Sequence, residues 1–527
     1  MTAPWQTRDE VSETTVFSDA RMRSEAHGHS LGELAEQAES RFGDTSTLLF
    51  EGVATTAAEL GARARRFAAG LASLGVQPGD RVAVCMANCP EVLETYRAVW
   101  RLGAAATPLL FLLSEDELRH ALVDSEAAAV VTTPEFLPKV SAAASRLDLH
   151  RIVVGPPEAG ALSFAELAGG EKAALAAVDP ASMAALLYTG GTTGRSKGVV
   201  LSHDALSTAA WAATLAGVDE EFRVSLLPLP LAHAYGLLVA TMSLHAVHPT
   251  HTVLMRWFDP AGWLRLAQDE RVEVGAVVPT MLRLLAAQPL ENYDLSHLRR
   301  LVSGSAPLPG EILAEWSRRV PGVEIVEGYG CSETAALACT TPLGQARPGS
   351  VGIAAPTVDL RILAADGAEL PPGEHGEVCV RSPALMNGYW RDDAATAHAL
   401  RDGWFHTGDI GHLDDDGYLF VVDRIKDVII RGGFNVYPRD VEEVLMRHPA
   451  VAACAVVGRP HPEHGEEVVA FVQPAAGTLV TVEELVDYAK AHLSAVKHPR
   501  EVYIIEQLPL TAVGKLDRKT LRARLAG

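Results

Sequence analysis

The chain has 527 residues, which exceeds the length at which a single hydrophobic core stops growing, so at least two core-bearing units are expected. Hydrophobic residues at 48% and charged residues at 21% exclude a disordered or fibrous protein. The 45 basic and 66 acidic residues give a net charge of −21, which repels phosphate backbones and excludes nucleic acid as an expected partner.

Three further features bear on location. Six scattered cysteines do not form the pattern of a disulfide framework, and the N-terminus lacks the apolar segment of a secretory signal. The uncharged stretch 224–255 contains three prolines and four histidines, which favours buried strand, loop and helix over a transmembrane segment. We therefore expect a cytoplasmic protein without a membrane span.

Helix-period segments alternate with short β-branched runs in the first part of the chain. The pattern predicts a helix over 56–75, a strand over 81–87, a helix over 90–103 and a strand over 127–133. Such alternation is typical of α/β units around buried, parallel-rich sheets, and it is expected to continue to about residue 420.

The character of the sequence changes after this point. A helix near 438–447, strands over 451–458 and 466–474, a helix over 481–493 and a strand over 501–507 predict a compact α+β unit. We therefore expect an α/β protein with a large N-terminal region of several subdomains, residues 1–425. A small, mobile α+β C-terminal domain, residues 426–527, is expected to follow it.

A glycine- and threonine-rich segment follows an apolar run ending at Tyr188. Glycines let the backbone aim N–H groups at phosphate oxygens, hydroxyls add donors, and a lysine adds charge. Two residues stand between the last glycine and the lysine, so this is not a Walker A loop. The candidate phosphate-binding residues are Thr189, Gly190, Gly191, Thr192, Thr193, Gly194 and Lys197.

A second lysine, Lys515, follows a glycine in the segment LPLTAVGKLDR near the C-terminus. Together with five motifs between them, the two segments resemble the signatures of the adenylate-forming superfamily of acyl-CoA synthetases, nonribosomal adenylation domains and luciferases. The resemblance covers the chain from about residue 31 to 518. It implies that a carboxylic acid and ATP react to an acyl-adenylate, with Lys515 of the small domain bridging the carboxylate and the α-phosphate.

The resemblance assigns roles to the intervening motifs. In GYGCSET, Tyr329 would stack on adenine, Gly330 and Ser332 would contact the nucleotide, and Glu333 would hold Mg²⁺. A carboxylate beside polyphosphate requires a metal, because the two anions repel each other. The segment SGSAPL would flank adenine and the acyl pocket, through Gly304, Ser305, Ala306 and Pro307.

The remaining roles implied by the resemblance concern ribose, the acid, the hinge and the thiol. Asp409 of FHTGDIG would accept from the ribose hydroxyls, and Arg424 would reach ribose and phosphate. Lys426 would be the hinge between the domains. His233 would lie between the carboxylate pocket and the α-phosphate. Further acyl-pocket and pantetheine residues would be Gly328, Gly432 and Gly433.

Taken singly, each motif also has a purely structural explanation. The glycine-rich segment reads as a hairpin turn, His233 as a buried core histidine, Asp409 as part of an Asp-Gly turn and Arg424 as one half of an interdomain ion pair. Glu333 reads as a surface charge at a helix start. Seven motifs in the family's order favour the functional interpretation of the set.

The acceptor, the acid and the oligomeric state stay open at this stage. Coenzyme A is the first expected acceptor, and the phosphopantetheine of a separate acyl carrier protein is the alternative; an inactive acyl or nucleotide sensor is a distant third. The predicted acyl pocket is apolar, carries no Asp for a substrate ammonium, and has Ala234 where catechol-type aryl acid activators carry asparagine. This composition favours a medium- or long-chain fatty acid, with a simple aromatic acid as the other possibility.

Overall fold

The computed structural model describes residues 28–157, 160–189, 195–216, 222–510 and 516–525. The predicted phosphate-loop residues 190–194 and Lys515 lie outside this part of the chain. The described residues form a large region with two parallel-rich sheets and two antiparallel sheets, and a small C-terminal α+β domain. The predicted fold class is therefore confirmed.

The first large sheet has eight strands, six of them parallel, with an antiparallel pair at one edge. Its parallel strands are buried on both faces, which is why their sequence is continuously apolar instead of alternating. In spatial order the strands are Gly388–Tyr389, Lys197–Ser202, Met183–Thr189, Ala105–Pro108, Arg81–Cys85, Ala127–Thr132, His150–Val153 and Leu162–Ser163.

The second large sheet has seven strands, parallel except for one edge hairpin. Its strands Val224–Leu227 and His251–Leu254 come from the uncharged stretch examined for a membrane span. Among the described residues, no helix combines the length and apolarity needed to cross a bilayer. In spatial order the strands are Glu324–Glu327, Arg300–Ser303, Val274–Val277, Val224–Leu227, His251–Leu254, Ser46–Phe50 and Val53–Thr56.

Helices cover both sheets, and several contribute to the core cluster that joins them. Within the described ranges, four helices begin with a capping box, in which a Ser or Thr and a Glu three residues later satisfy each other's backbone N–H groups. Thr56 and Glu59 are one such pair. The helices of the large region are Leu31–Phe42, Ala57–Ser73, Pro90–Arg101, Glu115–Asp124, Leu137–Ala143, Phe164–Leu167, His203–Leu215, Ala234–His245, Pro260–Asp269, Pro279–Ala286, Gly310–Arg319 and Asp393–Ala399.

The predicted α/β alternation ends earlier than expected. From Cys339 to Arg424 the chain forms a two-stranded and a five-stranded antiparallel sheet, with one short helix, instead of further parallel units. Short connections pair neighbouring strands directly, so no crossover helix is needed. The strands are Cys339–Thr340, Ile353–Ala354, Asp359–Leu363, Gly376–Arg381, Leu400–Arg401, Trp404–Leu413 and Leu419–Arg424.

The C-terminal part is a sheet covered by helices on both faces. In the strand Val451–His461, Cys454 and Val456 face one core, while Ala455 and Val457 face the other, as the two-residue period of a strand requires. Its strands are Phe434–Val436, Ile429–Arg431, Gly465–Pro474, Val451–His461 and Glu501–Ile504, and its helices are Pro438–Met446, Val482–His492 and Arg518–Leu525.

Two buried histidines lie beneath the helix Leu31–Phe42. His203 is fully buried, and its Nδ1 accepts from the backbone N–H of Leu31 at 3.1 Å. His245 Nε2 lies 3.1 Å from the Ser207 hydroxyl. Burial lowers the pKa of both imidazoles to about 4.

These histidines predict a loss of stability in acid. Because their folded pKa lies below the unfolded value, the unfolded chain binds protons first as the pH falls from about 6.5 to about 4. Each pKa unit corresponds to about 1.4 kcal/mol, so each histidine can lower the free energy of unfolding by a few kcal/mol across this window. Urea denaturation of the wild type and of His203→Asn, at pH 7.5 and pH 5, measures the effect. The difference in the free energy of unfolding between pH 7.5 and pH 5 should be smaller in the variant than in the wild type. An equal difference in the two proteins would contradict the assignment.

Candidate active site

A cleft of about 2490 Å³ lies between the large region and the C-terminal domain. It is lined by residues of both, among them Arg439, Leu508 and Leu516 from the C-terminal part. Most of the described candidate residues line it. They are Thr189, Lys197, His233, Ser305, Ala306, Pro307, Gly328, Tyr329, Gly330, Ser332, Glu333, Asp409, Arg424 and Lys426.

Sheet topology explains this convergence. The strands Val224–Leu227, Arg300–Ser303 and Glu324–Glu327 are parallel members of one sheet, so their carboxyl ends meet at the same edge. The loops that follow them carry His233, the segment 304–308 and the segment 328–333. Ligands of open α/β sheets bind at this edge.

The hairpin around the predicted phosphate loop is anchored on both sides. Thr189 and Lys197 are directly opposed in the antiparallel strand pair that flanks residues 190–194. The Tyr188 hydroxyl donates to Asp124 at 2.7 Å, and His120 Nε2 lies 3.0 Å from the carbonyl oxygen of Ser196. The two stems of the loop are therefore fixed to the helix Glu115–Asp124.

His233 precedes the helix Ala234–His245 and caps it, because its Nδ1 accepts from the backbone N–H of Tyr235 at 3.2 Å. A helix N-terminus favours negative charge, such as a carboxylate or a phosphate. His233 therefore lies at a position of the cleft suited to an anion.

The loop that carries His233 is held by the buried amide of Asn88. Asn88 donates to the carbonyl oxygens of Leu229 and Met255 at 2.8 and 3.0 Å and accepts from the N–H of Leu231 at 2.8 Å. The Tyr96 hydroxyl donates to the carbonyl oxygen of Leu231 at 3.0 Å. An amide is required here, because the site uses both donors and an acceptor at once.

The residues predicted for adenine and ribose form one hydrogen-bonded group. Asp409 is 5% exposed; one oxygen accepts from the Tyr329 hydroxyl at 2.6 Å, and the other pairs with Arg424 Nε at 2.9 Å. Burial, and next the charge of Asp409, raise the pKa of Tyr329, while the carboxylate raises the pKa of Arg424. Tyr329 therefore stays a hydrogen-bond donor and Arg424 stays charged.

Glu377 fixes the strand that carries Asp409. Its oxygens accept from the N–H of Gly408 at 3.2 Å and pair with His406 Nδ1 at 2.8 Å. Cys379 Sγ lies 3.4 Å from the same nitrogen, so three potential metal ligands lie close together. The hydrogen bonds already account for their arrangement.

Glu327 has a comparable role for the segment 304–308. Its carboxylate accepts from the N–H of Leu308 at 3.0 Å, and burial raises the pKa of Glu327 to about 7. Gly304 is buried behind this segment, where an added Cβ would lie 3.2 Å from the ring of Tyr235. Gly304 therefore does not line the cleft itself, but it borders residues that do.

Glu333 lies in a tight turn. A Cβ on Gly330 would lie 2.3 Å from the carbonyl oxygen of Ala336, so only glycine fits there. Ala335 and Ala336 have φ values of 49° and 72°, a conformation that alanine rarely adopts. The turn therefore fixes where the Glu333 carboxylate enters the cleft.

One oxygen of Glu333 accepts from the Tyr389 hydroxyl at 2.8 Å. A carboxylate oxygen beside the predicted phosphate-binding hairpin has the chemistry that Mg²⁺ prefers. The site therefore fits the metal that the sequence predicts.

The segment predicted as the hinge connects the last strand of the large region with the first strand of the small domain. Lys426 lies in the turn Ile425–Asp427, and burial, aided by the charge of Arg424, lowers the pKa of Lys426 to about 8. Arg439 of the small domain donates to the carbonyl oxygen of Val421 at 2.7 Å. These contacts hold the small domain at the rim of the cleft.

The loop that carries Lys515 begins and ends at the cleft. Leu510 and Leu516 form an isolated β-bridge, and both line the cleft. Gly432 and Gly433 lie elsewhere, at the tip of the hairpin formed by Ile429–Arg431 and Phe434–Val436, and they do not line it. Both residues that flank 511–515 therefore lie at the site, whereas the glycine hairpin does not.

Four residues with these supporting contacts were not identified from the sequence. Glu327 stands directly before a recognised segment, so proximity to a motif is a signal that could have found it, whereas Tyr389 has no recognised motif beside it. Asn88 and Glu377 have no such local signal. The role of Asn88 depends on backbone groups more than 140 positions away.

Comparison with known proteins gives a consistent result. A family model described as AMP-binding enzyme matches residues 34–390, and one described as AMP-binding enzyme C-terminal domain matches residues 440–515. A feruloyl-CoA synthase from Amycolatopsis sp is 39% identical over 481 residues, covering 90% of this chain and 94% of that protein. A long-chain-fatty-acid–CoA ligase from Bacillus subtilis is 34% identical, covering 92% of each. The ATP-bound crystal structure of MatB from Rhodopseudomonas palustris has a TM-score of 0.86 at 33% identity, covering 94% of this chain and 99% of that one.

The support of the His233 loop by Asn88 can be tested by substitution. Asn88→Ala removes three buried hydrogen bonds and is expected to lower the free energy of unfolding by about 2–4 kcal/mol. Tyr96→Phe removes one hydrogen bond to the same loop and should cost about 1 kcal/mol. Urea denaturation measures both. Equal destabilisation by the two variants would contradict the role given to Asn88.

Proposed function

This chain belongs to the AMP-binding enzyme family, within the adenylate-forming superfamily, and from that premise we propose how it acts. It is an AMP-forming acid–thiol ligase. In the first step, ATP and a carboxylic acid react in the cleft to an acyl-adenylate; in the second, the acyl group passes to the thiol of coenzyme A and AMP is released. The observation that carries the proposal is the convergence of Lys197, Glu333, Arg424 and the ends of the Lys515 loop on one cleft.

The first step needs alignment and charge neutralisation more than a protein nucleophile. A carboxylate oxygen of the acid attacks the α-phosphorus, the new O–P bond forms, and pyrophosphate leaves with the electron pair of the broken bond. His233, at a helix N-terminus, and Lys515 would hold the carboxylate and the α-phosphate together. Holding two reactants in the right geometry accelerates their reaction strongly. Mg²⁺ bound at Glu333 would supply neutralisation of the leaving pyrophosphate.

Local positive charge is essential because the chain as a whole carries −21. The carboxylate of the acid and the phosphates of ATP must approach each other against this negative charge. Lys197 and Arg424 supply cations at the cleft, and Lys515 would add a third at the reacting phosphorus. When ATP binds, Asp409 would accept hydrogen bonds from the ribose hydroxyls in place of its present bond from Tyr329 or Arg424.

The second step requires another face of the small domain. The hairpin bearing Gly432 and Gly433 is exposed, and its Ile430 and Phe434 side chains are 55% and 63% exposed. Exposed apolar side chains beside a glycine tip suit a surface that becomes buried in a second arrangement. We propose that rotation about Lys426 brings this hairpin to the cleft and withdraws the Lys515 loop.

For the acid, a planar aryl or arylpropenoic acid has the better support. The feruloyl-CoA synthase relative, at 39% identity, acts on such an acid by its name. The fatty acid favoured by composition remains the second candidate, supported by the Bacillus subtilis relative.

The role of Lys515 is tested by the partial reaction. Lys515→Ala is expected to lower acid-dependent ATP–pyrophosphate exchange by at least about 100-fold, because it removes a charge that stabilises the transition state. Lys490→Ala, which removes an exposed lysine paired with Asp487, is the control and should leave exchange unchanged. Unchanged exchange in Lys515→Ala would contradict the assignment. Absence of exchange in the wild type with every acid would favour the inactive sensor.

A substrate panel decides between the acids. We expect kcat/KM for ferulate and 4-coumarate, measured by AMP release with coenzyme A, to exceed that for octanoate and palmitate at least about tenfold, as a fitted pocket permits. The reverse order would favour the fatty-acid candidate. Replacing coenzyme A by a purified holo-carrier protein identifies the acceptor, because only the true thiol should consume the adenylate rapidly.

A further inference from the structure

The segment from Met386 to Trp390 connects two parts of the site that are far apart in sequence. The N–H of Met386 donates to the carbonyl oxygen of Glu333 at 2.8 Å. The N–H groups of Asn387 and Trp390 donate to the carbonyl oxygens of Val200 and Gly198 at 2.9 and 2.7 Å. One short strand is thereby bonded both to the turn of Glu333 and to the hairpin of Lys197.

Tyr389 repeats this connection with its side chain. Its hydroxyl donates to Glu333 Oε1 at 2.8 Å, while Lys197 Nζ lies 5.2 Å from the centre of its ring. We propose that Tyr389 is a positioning residue that couples the metal-binding carboxylate of Glu333 to the phosphate-binding lysine Lys197. This inference rests on the proposed function, because it assigns both partners roles toward ATP and Mg²⁺.

The hydroxyl and the ring have separable effects. Donation to Oε1 restrains the carboxylate through which Glu333 would hold Mg²⁺, so the hydroxyl acts on Mg²⁺ binding. Burial, and next the charge of Glu333, raise the pKa of Tyr389, which keeps the hydroxyl protonated and donating. The aromatic face attracts the ammonium of Lys197 without a counter-charge, so the ring acts on the phosphate contact.

Lys197 also pairs with Asp392, 3.2 Å from its ammonium. Both side chains are more than a third exposed, at 44% and 37%, so this ion pair is weak and exchangeable. An arriving polyphosphate can replace Asp392 while the ring keeps Lys197 in place. Tyr389 thus gives Lys197 a position that does not depend on an anion of the protein.

The backbone keeps the tyrosine in register. Tyr389 pairs with Val199 and Gly388 with Val200 across the strands. Gly388 has a φ of 151°, and an added Cβ there would lie 2.8 Å from Thr396 Cγ2, so this position accepts only glycine. The N–H of Tyr389 donates to Thr396 Oγ1 at 2.9 Å. The backbone contacts of Gly388 and Tyr389 therefore also fix the position of the Tyr389 ring.

Two substitutions at Tyr389 separate the two effects. In Tyr389→Phe, calorimetric titration of ATP binding at varied Mg²⁺ should show a Mg²⁺ half-saturation raised about tenfold, since one hydrogen bond to a charged group is lost. Binding of ATP without Mg²⁺ should be unchanged. In Tyr389→Leu, binding of ATP without Mg²⁺ should weaken as well, because Lys197 loses the ring.

Tyr418→Phe is the matched control. The Tyr418 hydroxyl donates to the carbonyl oxygen of Gln345 at 3.1 Å, and Arg347 lies over its ring, so the same kinds of contact are present away from Glu333 and Lys197. This variant should leave the Mg²⁺ half-saturation unchanged. A general loss of stability would affect it and Tyr389→Phe alike.

Glu333→Gln completes the test as a double-mutant cycle. Tyr389→Phe should add no further change in Mg²⁺ dependence when Glu333 is already Gln, because the coupled partner is absent. An unchanged Mg²⁺ half-saturation in Tyr389→Phe, or additive effects in the double variant, would overturn the inference. If the wild type binds ATP without any Mg²⁺ dependence and shows no pyrophosphate exchange, the proposed function fails instead.

Discussion

The contact between the small domain and the rim of the large region is the interaction on which the site depends. The residues proposed to bind the nucleotide, Tyr329, Asp409 and Arg424, belong to the large region, while the loop bearing Lys515 belongs to the small domain. Residues of both parts line the cleft. Arg439 of the small domain donates to the carbonyl oxygen of Val421 in the large region, and Leu510 and Leu516, which flank residues 511–515, both line the cleft.

Within the large region, the site is built by supporting polar groups as much as by the residues that would touch substrate. Asn88, Glu327 and Glu377 each hold one of the segments that carry His233, Ser305 and Asp409. Each is engaged by backbone groups, so it fixes loop position and not only side-chain position. Preorganised loops of this kind let charges act without reorganisation during the reaction.

Much of the fold was predictable because hydrophobic period is a local signal. The helix Ala57–Ser73 and the strand Arg81–Cys85 follow the predicted 56–75 and 81–87 closely. The antiparallel sheets between Cys339 and Arg424 were not predicted, because their short strands depend on partners that periodicity does not identify. The resemblance identified the residues that would contact substrate. The roles of Asn88 and Tyr389 depend on partners more than fifty positions away in the sequence, so they could be identified only from the three-dimensional structure.

The most direct test of this account is a crystal structure with a non-reactive acyl-sulfamoyl adenosine, which mimics the acyl-adenylate. The account predicts the adenine against Tyr329, the ribose hydroxyls within about 3 Å of the Asp409 carboxylate, and the sulfamate near His233. A ligand bound outside this cleft, or one whose ribose makes no contact with Asp409, would contradict the account.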